Sequence, residues 1–159
     1  MTVTLKAAGE DDRPILENLM QLYIHDFSEF TQEEIDSTGR YDYPYLTHYW
    51  KDSHRYPHLI YADDKLAGFA LVRCETDPEN NQSNMDMSEF FVIRSFRRTG
   101  VGSEAATKIW DTYPGRWHLK VLRSNKPAYP FWKGLIASRT ENKFEELNGT
   151  SEFLFVFHI

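Results

Sequence analysis

The chain has 159 residues, a formal net charge of −6, and 41% hydrophobic against 26% charged residues. That size and balance make one domain with a sizeable core and exclude intrinsic disorder. No uncharged apolar run approaches the ~20 residues that span a bilayer, and the single cysteine, Cys74, permits no internal disulfide. In chain order, Thr2–Lys6 alternates and predicts a short strand. Asp11-Asp12-Arg13-Pro14 is a helix start with proline in its first turn. Ile15, Leu19 and Leu22, with Leu16, Met20 and Tyr23, then recur at helical spacing. Residues 32–37 and 45–51 read as a second helical or irregular piece. His58–Tyr61 and Leu66–Arg73 read as strands around the turn Asp63-Asp64-Lys65. The polar stretch 75–84 reads as a surface loop, followed by a strand over Met87–Ile93. Val101–Tyr113 is predicted helical, Trp117–Leu122 a strand and Ala128–Lys133 a short helix. Phe144–Leu147 and Glu152–His158 close the chain as strands around the hairpin signal Asn148-Gly149. This order makes a single α/β (α+β) domain over residues 1–159, without internal repeats.

The charges segregate. Residues 1–47 hold ten Asp and Glu against three Lys and Arg, whereas no acid lies between Asp111 and Glu141. That second stretch carries Arg116, Lys120, Arg123, Lys126, Lys133 and Arg139, and Arg94, Arg97 and Arg98 precede it. Solvated faces account for such blocks. The functional alternative is an anionic ligand on the C-terminal half and a cationic one near the N-terminal half. An acidic chain with pI ≈ 5.5 argues against nucleic acid as a partner.

The informative segment is Phe90-Phe91-Val92-Ile93-Arg94-Ser95-Phe96-Arg97-Arg98-Thr99-Gly100-Val101-Gly102-Ser103-Glu104-Ala105. An apolar strand runs into a basic, glycine-bearing turn, and a helix follows at once. A helix N-terminus exposes unpaired N–H groups and about half a positive charge, which suits a phosphate. Gly100 to Ala105 also fits the G-x-G-x-x-A of a dinucleotide site. The acidic residue expected about 20 positions further on falls in the acid-free stretch. Taken alone, the glycines equally fit an ordinary helix start.

Arg97-Arg98-Thr99-Gly100-Val101-Gly102 resembles the R/Q-x-x-G-x-G/A signature of the GNAT superfamily of N-acetyltransferases. Asn125-x-x-Ala128-x-x-Phe131-Trp132 is similar to that family's N-x-x-A-x-x-F-Y block, and Lys65 to Val72 to its third strand. With the element order, the resemblance covers nearly the whole chain. It implies a mixed, mostly antiparallel central sheet flanked by helices, with acetyl-CoA as donor and direct transfer to an amine. The backbone of Phe91, Val92 and Ile93 is then expected to pair with the pantetheine arm. Arg97 and the amides of Arg98, Thr99, Gly100, Val101, Gly102 and Ser103 are expected at the pyrophosphate. Asn125 is expected on the pantetheine or adenosine side, and the Val92 N–H as the oxyanion donor.

Amine acetylation needs a base, an oxyanion donor and a proton for the departing thiolate. Glu89 and Asp86 are the candidate bases. An ideal strand puts them on opposite faces, but the bulge common in this family's central strand breaks that parity. Glu89 ranks first because its apolar neighbours desolvate it. Trp132 stands where the family usually has a tyrosine acid, and Tyr129, three residues earlier, is the candidate substitute. Tyr23, Asp26, Phe27 and Tyr41 are the candidate acceptor-site residues, within an aromatic cluster that also holds His25, Tyr43, Tyr45 and Trp50. Aromatic walls and acids suit a cationic amine.

Other chemistries fail on spacing. There is no G-x-S-x-G elbow, no Walker A pattern and no H-E-x-x-H, so no metal is expected. A cytoplasmic enzyme acting on a small-molecule or protein amine follows, without nucleic-acid or membrane partners and with a homodimer left open. A binding module of the same fold without turnover, and an interaction domain using the aromatic half, are the competing classes.

Overall fold

Local chemistry accounts for most elements of the computed structural model, which describes Met1–Ile159. β1 (Val3–Ala7) leads through a single 3-10 turn (Glu10–Asp12) into α1 (Arg13–Thr31). Pro14 sits in the first turn of α1, where its missing N–H leaves no bond unmade. Leu16, Leu19, Met20 and Ile24 form the buried stripe of α1. Of the second piece expected over residues 32–51, only α2 (His48–Lys51) is helical. β2 (Arg55–Ala62) and β3 (Lys65–Thr76) are joined by Asp63 and Asp64, both left-handed at φ 46° and 62°. Two such residues make the hairpin turn whose twist matches the strands.

Three boundaries differ from expectation. β2 begins at Arg55, not His58, because Pro57 is tolerated. Its carbonyl accepts from Ala8 on the β1 side, where the β1 ladder has already ended at Ala7↔His58. β4 (Ser83–Val92) pairs with β3 as far as Thr76↔Ser83, so the loop contracts to residues 77–82. Glu75, Thr76 and Ser83 are the exposed ends of this hairpin, while Asn84 is buried and accepts from Arg116 Nη1 at 2.7 Å. α4 (Ala128–Arg139) runs past Lys133 because Leu135 and the fully buried Ile136 continue its apolar face. The remaining elements are α3 (Val101–Thr112), β5 (Arg116–Leu122), β6 (Phe144–Asn148) and β7 (Glu152–His158).

The seven strands form one sheet in the order β1-β2-β3-β4-β5-β7-β6. Every pairing is antiparallel except β4 with β5. The mixed, mostly antiparallel sheet flanked by helices is therefore the observed architecture. α1 and α2 cover one face, packing Leu16, Leu19, Met20 and Tyr49 on Leu59, Phe69, Leu71 and Phe91. α3 and α4 cover the other, packing Val101, Ile109, Trp110 and Trp132 on Ala70, Val72, Met87 and Val92.

Two irregularities of β4 place the site. First, the parallel pairing with β5 spans only Met85↔Trp117 and Asp86↔His118. Beyond it the two strands separate and leave the β5-facing edge of β4 open. Second, Leu71 pairs with Glu89 while Val72 pairs with Met87, so Ser88 is a bulge with no partner. The apolar pattern demands this. Met85, Met87, Phe90 and Val92 all pack against the α3–α4 core, and the step from 87 to 90 cannot be made by strict alternation. The bulge consequently puts Asp86 and Glu89 on the same face, toward α1.

Candidate active site

The end of β4 and the start of α3 form a cradle of free donors. Ile93 N–H binds the Ala67 carbonyl at 2.8 Å, and the first helical bond of α3 is Glu104 N–H to Gly100 C=O at 3.0 Å. Between them, the amides of Arg98, Thr99, Gly100, Val101, Gly102 and Ser103 donate to no protein acceptor. Arg98 and Gly100 are left-handed at φ 60° and 90°. Left-handed residues in such a turn direct successive N–H groups into one concavity, which suits an anion. A Cβ on Gly102 would lie 3.4 Å from the Phe131 ring and 3.7 Å from Val92. The turn is thus held between α4 and the end of β4, and the two sequence blocks meet in space.

Strand alternation sorts the groups on β4. Phe91 and Ile93 turn their peptide groups toward β3: Ile93 binds Ala67, and the Phe91 carbonyl approaches so closely that a Cβ on Gly68 would be 1.9 Å away. Val92 and Phe90 turn theirs toward the open edge. Phe91 and Ile93, expected at this edge through their backbone, therefore do not present it there, and Phe90, which the spacing did not single out, does. The Val92 carbonyl accepts from Arg97 Nε at 2.9 Å, and the Arg97 guanidinium lies 5.7 Å from the centre of the Phe91 ring. Ahead of α4, Asn125 accepts from the Ala128 N–H through its side-chain oxygen at 3.3 Å and its carbonyl at 3.2 Å.

Glu89 stands in a tyrosine-lined recess between β4 and α1. Tyr23 Oη donates to Glu89 Oε2 at 2.5 Å, and Tyr43 Oη donates to Oε1 at 3.3 Å. Tyr23 is fixed by stacking on Phe27 and by edge contacts to Phe69 and Phe91, with ring centres 5.4 to 5.7 Å apart. Burial raises the Glu89 pKa above the usual carboxylate range, and the two tyrosine bonds only partly offset it. Burial and the Glu89 charge push both tyrosine hydroxyls well upward, so they remain donors throughout the accessible pH range.

Four other candidates lie elsewhere than their sequence positions suggest. Asp86 is buried and committed, accepting from Arg73 Nε at 2.8 Å and Ser88 Oγ at 3.0 Å. An ion-paired carboxylate is a poor base, whereas the partners of Glu89 are neutral hydroxyls and no cation pairs with it. Asp26, expected to attract a cationic acceptor, instead bridges Arg94 and Arg97, each at 2.5 Å. Its charge is neutralised at the donor turn. Tyr41 faces away from Glu89: its hydroxyl meets His25 Nδ1 at 3.0 Å, and the Gln21 carboxamide clamps its backbone with bonds of 2.9 and 2.8 Å. Tyr129, the candidate acid, donates to Glu146 Oε1 at 2.7 Å, accepts from Lys133 at 3.0 Å and packs on Phe153. It belongs to the α4–β6–β7 contact. Trp132 is buried, edge-on to Phe90 and Phe131. We therefore expect Tyr129→Phe to leave kcat within about twofold across pH 6–9, since proton transfer by a positioned acid is worth ~10²-fold or more. A larger loss in steady-state rate would return Tyr129 to the reaction.

Tyr43 was legible only as one of several aromatics, because nothing in its spacing marks it as a carboxylate partner. The Asp26 bridge has no local signal at all.

The split parallel pair and the helix start of free amides beside it define an α/β fold with an anion-binding turn at an open strand edge. The sequence model of the acetyltransferase (GNAT) family matches residues 16–135, and the chain belongs to that family. An acetyltransferase from Thermus thermophilus superposes over 100% of this chain and 98% of its own, with TM-score 0.70 and 15% identity. Arabidopsis thaliana NAA60 in complex with acetyl-CoA covers 99% of both chains, with TM-score 0.64 and 16% identity. An aminoglycoside acetyltransferase, meta-AAC0020 from an uncultured soil metagenomic sample, in complex with sisomicin, covers 84% of this chain and 86% of its own. Its TM-score is 0.61 and its identity 14%. No curated protein sequence matches the chain. No helix is long and apolar enough to cross a membrane.

Proposed function

We propose that the protein transfers the acetyl group of acetyl-CoA directly to a primary amine of a cationic acceptor, with Glu89 as general base. The single observation that carries this reading is the run of six free amides at residues 98–103, beside an open strand edge and a tyrosine-held carboxylate. Acetyl-CoA supplies an activated thioester carbonyl. The 98–103 amides hold the pyrophosphate, and Arg98 adds an exposed cation. The Phe90 peptide group on the open edge receives the pantetheine arm, the Val92 carbonyl being taken by Arg97. Glu89 accepts the proton of the incoming ammonium, directly or through one water, so that a neutral amine attacks. The Val92 N–H on the open edge stabilises the developing oxyanion. With Tyr129 bound to Glu146 and Trp132 unable to release a proton near neutral pH, the thiolate takes its proton from solvent. A CoA thiolate is a fair leaving group, its thiol pKa being near ~8.5.

A cationic acceptor is supported by the acidic balance of residues 1–47: although Asp26 is taken up by Arg94 and Arg97, Glu33 adds to the negative field at Glu89 and Tyr23. The relatives solved with acetyl-CoA and with sisomicin agree with amine acetylation. Release of CoA thiol with a panel of amines tests the proposal. We expect turnover to be best with diamines or polyamines and kcat/KM to fall as salt rises from about 0.05 to 0.5 M, by screening. A preference for anionic amines, or indifference to salt, sinks the cationic assignment. The second reading, an acyl-CoA-binding module without turnover, is favoured by the lack of a placed acid. Binding of acetyl-CoA with no thiol release from any amine would establish it.

A further inference from the structure

We infer that Asp86 is a positioning residue for Glu89, clamping the Ser88 bulge and holding a second negative charge on the same face of the sheet. The inference rests on the reading of Glu89 as the base. A regular strand would turn Glu89 with Met85 and Met87 into the apolar core under α3 and α4, where no side chain could hold a carboxylate. The bulge prevents this, and one carboxylate oxygen secures it. Asp86 Oδ2 accepts from Ser88, the bulged residue, at 3.0 Å and from Arg73 on β3 at 2.8 Å. Asp86 is only 7% exposed, so both bonds are shielded from water and hold the geometry well.

The charge arrangement adds to this clamp. Arg73 also binds Glu75 at 3.0 Å, so its guanidinium is shared between two carboxylates and does not fully neutralise Asp86. The charge left on Asp86 opposes ionisation of Glu89 and helps to keep its pKa high, in addition to burial. The other titratable or charged groups facing Glu89 are Tyr23 from α1, Tyr43 from the segment after it, Glu33 just beyond α1, Tyr49 from α2, and Arg55 from β2, whose guanidinium lies 5.2 Å from the centre of the Tyr49 ring. His118 on β5 faces Asp86 across the parallel pair. None of these is altered in the test.

The Glu89 carboxyl can be titrated by 13C NMR in the purified protein without substrate, beside the pH profile of kcat/KM with acetyl-CoA and the best amine. Asp86→Asn keeps an oxygen for Ser88 but removes the charge. The Glu89 midpoint should fall by about half a pH unit or more, and the acidic limb should move with it. Asp86→Ala removes the clamp as well, and the plateau kcat should fall roughly 10- to 100-fold by misplacement of the base, with Asp86→Asn restoring part of it. Ser88→Ala, which removes only a hydroxyl, should lower the plateau with the midpoint in place, and it carries the clamp test should Asp86→Ala not fold. A folded Asp86→Asn protein with an unmoved Glu89 midpoint overturns the charge role. A wild-type plateau in Ser88→Ala overturns the clamp. A midpoint that falls while the acidic limb stays put supports the charge role of Asp86 at Glu89 and overturns the reading of Glu89 as base.

Discussion

A Gly102→Asp protein should fold and yet bind acetyl-CoA on the order of 10²- to 10³-fold more weakly than the wild type. The new Cβ meets only ordinary contacts, 3.4 Å to the edge of Phe131 and 3.7 Å to Val92. An acidic side chain in the first turn of α3 is also favourable to the helix, by ~0.3–1 kcal/mol. The carboxylate would, however, stand on a residue whose own N–H is one of the six free amides and compete for their hydrogen bonds. It also puts a negative charge against the pyrophosphate: two unit charges 4 Å apart at an effective dielectric of 20 repel by about 4 kcal/mol. Salt and rearrangement reduce that figure, and about 3 kcal/mol corresponds to a little over 10²-fold in Kd. Calorimetric titration with acetyl-CoA, alongside thermal unfolding, checks both halves. An unchanged Kd in a protein of unchanged or raised Tm would show that the 98–103 amides do not hold the pyrophosphate.

Glu89→Gln should lower kcat by about 10²- to 10⁴-fold, the usual worth of a positioned base, with acetyl-CoA affinity nearly unchanged. The donor cradle and Glu89 share no hydrogen-bond partner, which is why the two effects separate. The pH dependence follows from the direction of the shift. A base works only when ionised, and burial raises the Glu89 pKa above the usual carboxylate range. Wild-type kcat/KM should therefore decline on acidification through that raised pKa, earlier than an exposed glutamate would allow. In Glu89→Gln this limb disappears while a residual rate persists, because glutamine can still orient the amine but cannot accept its proton. Rate profiles between pH 5 and 9 measure this directly. Retention of the acidic limb by a folded Glu89→Gln protein would assign the base to another group.

What the sequence determined by itself is what depends on near neighbours. The donor turn is legible because Gly100, Gly102 and the flanking strand and helix lie within about a dozen residues, and free N–H groups at a helix start are a property of the backbone. The hairpin at Asp63-Asp64 and the start of α1 at Pro14 are legible for the same reason. The bulge was half-legible: the spacing of Met85, Met87, Phe90 and Val92 contains the extra residue, but only the packing of all four against one core shows where it is absorbed. The tertiary structure alone decided which side chains meet. Tyr23 and Tyr43 reach Glu89 across 66 and 46 positions. Asp26 finds Arg94 and Arg97 at separations of 68 and 71 and is drawn from the acceptor to the donor side. Tyr129, inside the block that suggested a catalytic acid and one helical turn before Trp132, points to Glu146 instead. In each case a charged or hydroxyl group is satisfied by whatever the packing of α1, α4 and the sheet brings within about 3 Å, and no residue spacing encodes that choice.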